Sequence, residues 1–145
     1  MRLVVQRVKY ASVKVDDNVV GKIEKGFMVL VGITDTDTKQ TCEYLADKLI
    51  KLRVFDDEND NMNYDLQKVG GSLLLISQFT LYADASKGNR PSFIKAAKPE
   101  ISKPLYDYFC EVCKNKGIKV EKGIFGADMK VELLNDGPVT IILEK

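Results

Sequence analysis

The chain contains no histidine among its 145 residues. Ser-His-Asp triads, Cys-His nucleophile pairs and histidine-ligated zinc all need an imidazole, so these mechanisms are excluded. An enzyme of this composition that works near neutral pH must move protons with carboxylates, lysine, tyrosine, cysteine, positioned water or the substrate itself.

The chain also lacks an excess of either charge. Its 22 Lys and Arg residues balance 21 Asp and Glu residues, which leaves a net charge of +1. A uniformly basic surface is therefore excluded, and a nucleic-acid partner must be held by a local patch. Length and a hydrophobic content of 45% predict one globular domain, residues 1–145, with a substantial core.

Cysteine is scarce, and long apolar runs are absent. Three cysteines, no signal-peptide pattern and no apolar run near about 18 residues indicate a reduced, cytoplasmic setting with no membrane contact. Cys110 and Cys113 form a C-x-x-C motif, but they lie well inside an amphipathic segment, whereas a redox pair opens a helix. We expect no disulfide, no metal and no cofactor.

Hydrophobic periodicity outlines the first half of the chain. An alternating strand turns at residues 16–18 into a hairpin, and residues 26–33 form an apolar run typical of a strand covered on both faces. A helical period predicts the first helix at about 37–52, with a capping box between Asp37 and Gln40.

The second half continues with a buried strand at residues 72–81 and a helix that begins near Pro99 or Ser102 and ends before Gly117. The expected buried stripe of this helix is Leu105, Tyr108, Phe109 and Val112. Three further strands follow at 118–124, 128–134 and 139–143. These elements predict an α+β domain whose mainly antiparallel sheets close on themselves, with two helices packed outside.

A polar cluster interrupts the apolar strand at residues 77–80 (SQFT). Strand alternation places Gln78 and Thr80 on one face and Ser77 and Phe79 on the other. One interpretation is a strand end whose hydroxyls cap backbone groups. The other is a pocket floor, with Gln78 and backbone N–H groups aimed at a carbonyl oxygen and Thr80 near a reacting ester.

Two further segments allow both a structural and a functional interpretation. Gly137-Pro138 within residues 135–138 (NDGP) favours a hairpin turn, but as a cis peptide it could present fixed carbonyls to an ammonium group. Residues 85–99 contain Lys87, Arg90 and two further lysines, no acidic residue, and Phe93. This segment is either a solvated basic loop or a surface for a single-stranded nucleic-acid end.

Five short motifs occur in order along the chain. They are residues 6–8 (QRV), 77–81 (SQFTL), 89–93 (NRPSF), 125–129 (FGADM) and 135–140 (NDGPVT). Together they closely resemble the D-aminoacyl-tRNA deacylase family over nearly the whole chain. The resemblance implies a cytoplasmic homodimer with a barrel-like core that hydrolyses the ester between a D-amino acid and the 3′-terminal adenosine of tRNA, a proofreading step of translation.

The resemblance also implies roles for single residues. Gly137 and Pro138 form a cis dipeptide that enters the other subunit's site and rejects L-amino acids, and Arg7 holds that dipeptide from the other subunit. Glycine has no side chain to clash, so glycyl-tRNA is an expected side substrate.

The remaining site residues follow from the same family pattern. Ser77, Gln78, Phe79 and Thr80 line the pocket at the ester, and Phe125 and Met129 lie against the terminal adenosine. No residue offers a base for Thr80, so we favour proton transfer assisted by the vicinal ribose hydroxyl, with Thr80 positioning the substrate.

Two other functions remain open at this point. One is a nucleic-acid-binding module without hydrolytic activity, built on Lys87 and Arg90. The other is a deacylase of altered stereochemical preference, in which Gly137-Pro138 is trans and small L-amino acids are accepted.

Overall fold

The computed structural model describes all 145 residues, which form eight strands and two α-helices. The strands are β1 (Arg2–Val15), β2 (Asn18–Ile23), β3 (Gly26–Gly32), β4 (Phe55–Asp56), β5 (Met62–Tyr64), β6 (Ser72–Ser77), β7 (Val120–Lys122) and β8 (Lys130–Glu144). The helices are α1 (Lys39–Ile50) and α2 (Pro99–Asn115). Neither helix is long and apolar enough to cross a membrane.

Strand β1 organises the main sheet because both of its edges are paired. β8 runs antiparallel along one edge, while β3 and β2 pair with the two halves of the other. β6 then pairs parallel to β3, and β7 pairs parallel to β6. Parallel neighbours need a crossover connection, and α1 and α2 lie in the two crossovers.

The sheet curls until β2 and β7 approach each other. A Cβ atom added at Gly21 in β2 would lie 3.0 Å from the carbonyl oxygen of Lys122 in β7, so the absence of a side chain permits this approach. The expected α+β fold with a barrel-like sheet and two helices is confirmed, although the β3–β6–β7 part is parallel.

Two apolar clusters lie on opposite faces of the sheet. In β6, Leu73 and Leu75 belong to the larger cluster beneath the helices, and the alternate residues Leu74 and Ile76 belong to a smaller one inside the curl. The two-sided burial expected for residues 26–33 is confirmed, because β3 contributes to both clusters.

Helix α1 is capped by a different pair than the sequence predicted. Thr38 is the N-cap residue and forms a capping box with Thr41, so the predicted Asp37 and Gln40 pair is wrong. The carboxylate of Asp37 has other partners: it accepts a hydrogen bond from the Thr34 backbone N–H at 2.8 Å and pairs with the α-amino group of Met1. A tertiary ion pair thus engages the Asp37 carboxylate, and Thr38 and Thr41 form the local cap.

Helix α2 buries a face next to the predicted one. Its buried residues are Ser102, Tyr106, Phe109, Cys110 and Cys113, whereas Leu105, Tyr108 and Val112 are only partly buried. The stripe was misplaced because Ser102 and the cysteines contribute little apolar signal. Burial raises the pKa of both Cys110 and Cys113 to about 12, so these thiols stay protonated at neutral pH.

The C-terminal part contains one long strand where a hairpin was predicted. β8 pairs with β1 both before and after residues 135–138, with Asn135 opposite Val8 and Thr140 opposite Gln6. Residues 136–139 therefore form a bulge opposite the single residue Arg7. The hairpin interpretation is wrong because the two halves pair with β1 rather than with each other.

Candidate active site

A cavity of about 550 Å³ opens where β3 and β6 end. Both strands run parallel, so Val31 and Ser77 lie side by side at their carboxyl ends, where α/β proteins commonly bind ligands. Five residues expected at the site line this cavity: Ser77, Gln78, Phe79, Phe125 and Met129. The volume is in the usual range for small-ligand sites.

The polar segment leaves the strand sooner than expected. β6 ends at Ser77, and residues Phe79–Tyr82 form a 3-10 turn, so the alternation predicted for residues 77–80 is wrong. Gly32 makes room for this turn, because a Cβ atom there would lie 2.9 Å from the Cβ of Leu81. Gln78 remains tied to β3 through its backbone N–H, which donates to the Val31 carbonyl at 2.8 Å.

Thr80 lies beside the cavity rather than in its lining. Its hydroxyl accepts a hydrogen bond from the side-chain amide of Gln78. The only ionisable residue in the lining is Asp128, whose carboxylate pairs with Lys130 at 2.9 Å and is largely exposed. The structure shows no hydrogen bond from the Thr80 hydroxyl to a group that could remove its proton.

Phe125 and Met129 form a second part of the cavity lining, apart from residues 77–79 in the sequence. Phe125 packs near Tyr106 with ring centroids 6.0 Å apart, and the Tyr106 hydroxyl donates to the Leu75 carbonyl at 2.8 Å. Met129 rests on Gly123, where a Cβ atom would lie 2.4 Å from its sulfur. Helix α2 and one glycine therefore set the position of this wall.

The Gly137–Pro138 peptide bond is cis, and Gly137 has a φ of +125°. Arg7 fixes the bulge from within the same chain: its Nε donates to the Asp136 carbonyl at 3.1 Å and its Nη1 to the Val54 carbonyl at 2.6 Å. The expectation that Arg7 holds the dipeptide from another subunit is therefore corrected.

The dipeptide is distant from the cavity of its own chain. Arg7, opposite the bulge, pairs with Phe27, which pairs with Leu73, and Ser77 follows Leu73 by four residues. At about 3.3 Å per residue along the strand and about 4.8 Å per strand across β8, β1, β3 and β6, the separation measured along the sheet is about 20 Å.

Lys87 and Arg90 are exposed on the loop before α2 and do not line the cavity. The loop is anchored by a pair of hydrogen bonds between Asp84 and Ser92, both 2.8 Å. Phe93 then reaches the cavity mouth and meets Phe79 edge to face, with centroids 5.1 Å apart.

Comparison with known proteins identifies the family. A model of the D-Tyr-tRNA(Tyr) deacylase family matches residues 4–144. The chain belongs to this family. D-aminoacyl-tRNA deacylases of Thermosipho africanus and Clostridium perfringens are 54% and 56% identical over 144 residues, which are 99% of this chain and 97% of each relative. This family member is therefore a hydrolase that acts on D-aminoacyl-tRNA.

Two solved structures are similar to the deacylase chain. One, named c-Myc DNA Unwinding Element Binding Protein, is 39% identical, has a TM-score of 0.93, and is matched over 100% of this chain and 99% of that chain. A probable eukaryotic D-amino acid tRNA deacylase is 18% identical with a TM-score of 0.84, over 98% and 97%. The second likeness supports the fold alone.

Several residues that line or shape the cavity were not predicted from the sequence. Ile33, Ala97 and Ser102 also line the cavity, while Gly32 and Gly123 give space to its walls. The apolar residues carry no polar signal in the sequence. Gly32 ends the apolar strand β3, whereas Gly123 follows the mostly polar strand β7, and the contacts with Leu81 and Ile76 come from residues far along the chain.

Proposed function

We propose that this deacylase hydrolyses the ester of D-aminoacyl-tRNA in the cavity at the ends of β3 and β6. The observation that carries the proposal is the convergence of Ser77, Gln78 and Phe79 with Phe125 and Met129 around one cavity. These residues come from separate motifs, and nothing in β6 itself requires a polar end above a mostly apolar pocket. Such pockets with few polar groups typically bind small ligands.

The proposed substrate position follows from the chemistry of the two walls. The terminal adenosine lies against Phe125 and Met129, and the ester carbonyl faces the side chain of Gln78 and the backbone N–H groups of residues 79–80. The lining offers no cation, so the phosphate of the terminal nucleotide stays at the mouth. Thr80 positions the ester through its contact with Gln78.

Proton transfer is assigned to the substrate. The only hydrogen-bond partner of the Thr80 hydroxyl is the Gln78 side-chain amide, and the cavity lining holds one exposed carboxylate and no lysine, tyrosine or cysteine, so a protein base for Thr80 has no support. The vicinal hydroxyl of the terminal ribose lies next to the ester in any aminoacyl-tRNA. We therefore place the proton relay on that hydroxyl, and Thr80 forms no covalent intermediate.

Deacylation of D-tyrosyl-tRNA by Thr80→Ala tests this mechanism. Loss of a positioning contact should slow hydrolysis by about 10²–10³-fold, whereas loss of a nucleophile should reduce it nearly to background. Thr36→Ala, another exposed threonine, is the matched control and should leave the rate unchanged. A trapped acyl-enzyme, or full activity on tRNA ending in 2′-deoxyadenosine, would refute substrate assistance.

The chirality filter is proposed to come from a second copy of the chain. Within one chain Gly137-Pro138 lies about 20 Å from Ser77, so it can reach a cavity only in an assembly. The sheet leaves Ile142 of β8 64% exposed, with the half-buried Val4 and Leu30 beside it in register, which gives an apolar face for a homodimer. A backbone carbonyl of the dipeptide then accepts a hydrogen bond from the α-ammonium group of a D-amino acid, and the dipeptide leaves no room for an L side chain while it admits glycyl-tRNA.

Mixing two inactive variants tests the shared site. Gln78→Ala damages the cavity and Gly137→Ala the dipeptide, where a Cβ atom would lie 2.8 Å from Val139. In mixed dimers a shared site pairs the intact cavity of one chain with the intact dipeptide of the other, which restores about a quarter of the sites. No recovery after subunit exchange would contradict it, as would equal cleavage of L- and D-tyrosyl-tRNA.

Binding of tRNA in the cytoplasm is assigned to the basic segment 85–98. Lys87 and Arg90 are exposed on the loop that leads to Phe93 in the cavity lining, and they can contact phosphates. The second candidate function is nucleic-acid binding without hydrolysis, since one similar structure is named for DNA binding. Charge reversal at Arg90 would abolish that function and Thr80→Ala would spare it; the deacylase loses activity in both.

A further inference from the structure

An exposed apolar ledge adjoins the mouth of the cavity. It consists of Phe79, Phe93 and Ile94, which are 56%, 39% and 89% exposed. Phe79 and Phe93 contact each other edge to face, and both also line the cavity. Ile94 follows Phe93 directly in the chain and lies outside the lining, so exposed apolar surface extends beyond the cavity along this segment.

The turn that carries Ile94 is held on both sides. Before it, Ser92 exchanges two hydrogen bonds with Asp84. After it, the Lys95 carbonyl accepts from the Thr34 hydroxyl at 2.8 Å and the Ala97 N–H donates to the Ile33 carbonyl at 2.9 Å. An apolar side chain on a turn fixed by hydrogen bonds loses little conformational entropy when a ligand covers it. Burial of its apolar surface therefore favours binding.

The charge around the ledge selects its occupant. Residues 85–98 contain Lys87, Arg90, Lys95 and Lys98 and no acidic residue, and of these cations Lys95 pairs with the Asp84 carboxylate at 3.6 Å. Apolar and aromatic surface beside several cations suits an unpaired nucleotide, whose base stacks while its phosphate is neutralised. The cavity lining itself has no cation. The part of the RNA that precedes the terminal nucleoside would therefore leave the cavity over the ledge.

We infer that the ledge stacks the base of the nucleotide that precedes the terminal adenosine. This inference rests on the proposed function, because it needs the adenosine in the cavity. In this arrangement the cavity binds the terminal nucleoside and the basic residues bind phosphates. Ile94 and Phe93 contact the base of the preceding nucleotide. The ledge thereby favours an unpaired RNA end over a free aminoacyl ester.

Short D-tyrosyl esters separate the base from the phosphate. The ester of adenosine 5′-monophosphate carries the phosphate alone, and the ester of cytidylyl-adenosine adds one base. The wild type should show a KM about fivefold lower for the dinucleotide ester, as expected for partial burial of one isoleucine. In Ile94→Ser this difference should disappear, while the KM of the mononucleotide ester stays unchanged. Val19→Ser, another exposed apolar residue on β2, is the matched control and should keep the difference.

The outcomes distinguish the two proposals. Equal KM values for both esters in the wild type, or an equal KM increase for both in Ile94→Ser, would overturn the ledge and leave the deacylase site intact. Failure of the wild type to hydrolyse either ester or D-tyrosyl-tRNA would refute the proposed function, and the ledge with it.

Discussion

Gly123 sets the width of the proposed adenosine site through Met129, and Gly123→Ala tests this. A Cβ atom at position 123 would lie 2.4 Å from the Met129 sulfur and 3.2 Å from Cδ1 of Ile76. Ordinary contact begins at 3.4 Å, so the sulfur must move by at least 1.0 Å (3.4 − 2.4). Gly123 lacks a left-handed φ, so alanine strains only the packing.

Met129 lines the cavity, so the displaced side chain can move into it. Overpacking of this kind costs about 1–3 kcal/mol, and the flexible thioether keeps the cost near the lower limit. If adenosine occupies the space into which Met129 moves, the KM for D-tyrosyl-tRNA should rise about tenfold, with a smaller change in kcat.

Steady-state deacylation of D-tyrosyl-tRNA measures the effect, and two further variants interpret it. Gly71→Ala is the matched control, because its Cβ would lie 2.6 Å from Cδ1 of Leu66, away from the cavity. It should lower stability without changing KM. Gly123→Ala combined with Met129→Ala should be no worse than Met129→Ala alone. Additive effects in this cycle, or an unchanged KM in Gly123→Ala, would refute the reasoning.

Three further predictions follow from buried or clamping groups. Arg7→Met removes the donors to the Val54 and Asp136 carbonyls, so the free energy of unfolding in urea should fall by about 2–4 kcal/mol; a loss below 0.5 kcal/mol would contradict this. Arg2 donates to the Leu81 carbonyl at 2.7 Å, so Arg2→Met should loosen the 79–82 turn and lower kcat more than KM, whereas an unchanged kcat would exclude this role. Burial raises the pKa of Cys113 from 9.0 to about 12, so between these pH values the folded chain retains a proton that the unfolded chain loses. The free energy of unfolding should therefore be unaffected below pH 9 and fall between pH 9 and 12. The fall should be less steep in Cys113→Ala.

The sequence predicted most elements because their patterns are local. The apolar run at residues 26–33 and the helical period after Thr38 are contained within single segments, and β3 and α1 formed there. The polar residues 77–80 were recognised as a site candidate because they interrupt an apolar strand, and three of them line the cavity.

Errors arose where a distant residue competes with a local pattern. Asp37 has the spacing of a helix cap, but the α-amino group of Met1 takes its carboxylate. Residues 135–138 have the composition of a hairpin turn, but β1 pairs with the chain on both sides of them. Local propensity is worth little against a complete ladder of sheet hydrogen bonds.

The sequence by itself determined the class of chemistry: no histidine, a near-neutral charge, and five motifs whose order identifies the family. Only the tertiary structure decided which of those motifs lie together at the cavity and which lie elsewhere. Three of them, residues 77–81, 89–93 and 125–129, meet at the ends of β3 and β6, while Gly137-Pro138 lies about 20 Å away along the sheet, fixed by Arg7. Motif order is one-dimensional, whereas these distances depend on which strands pair and in which register.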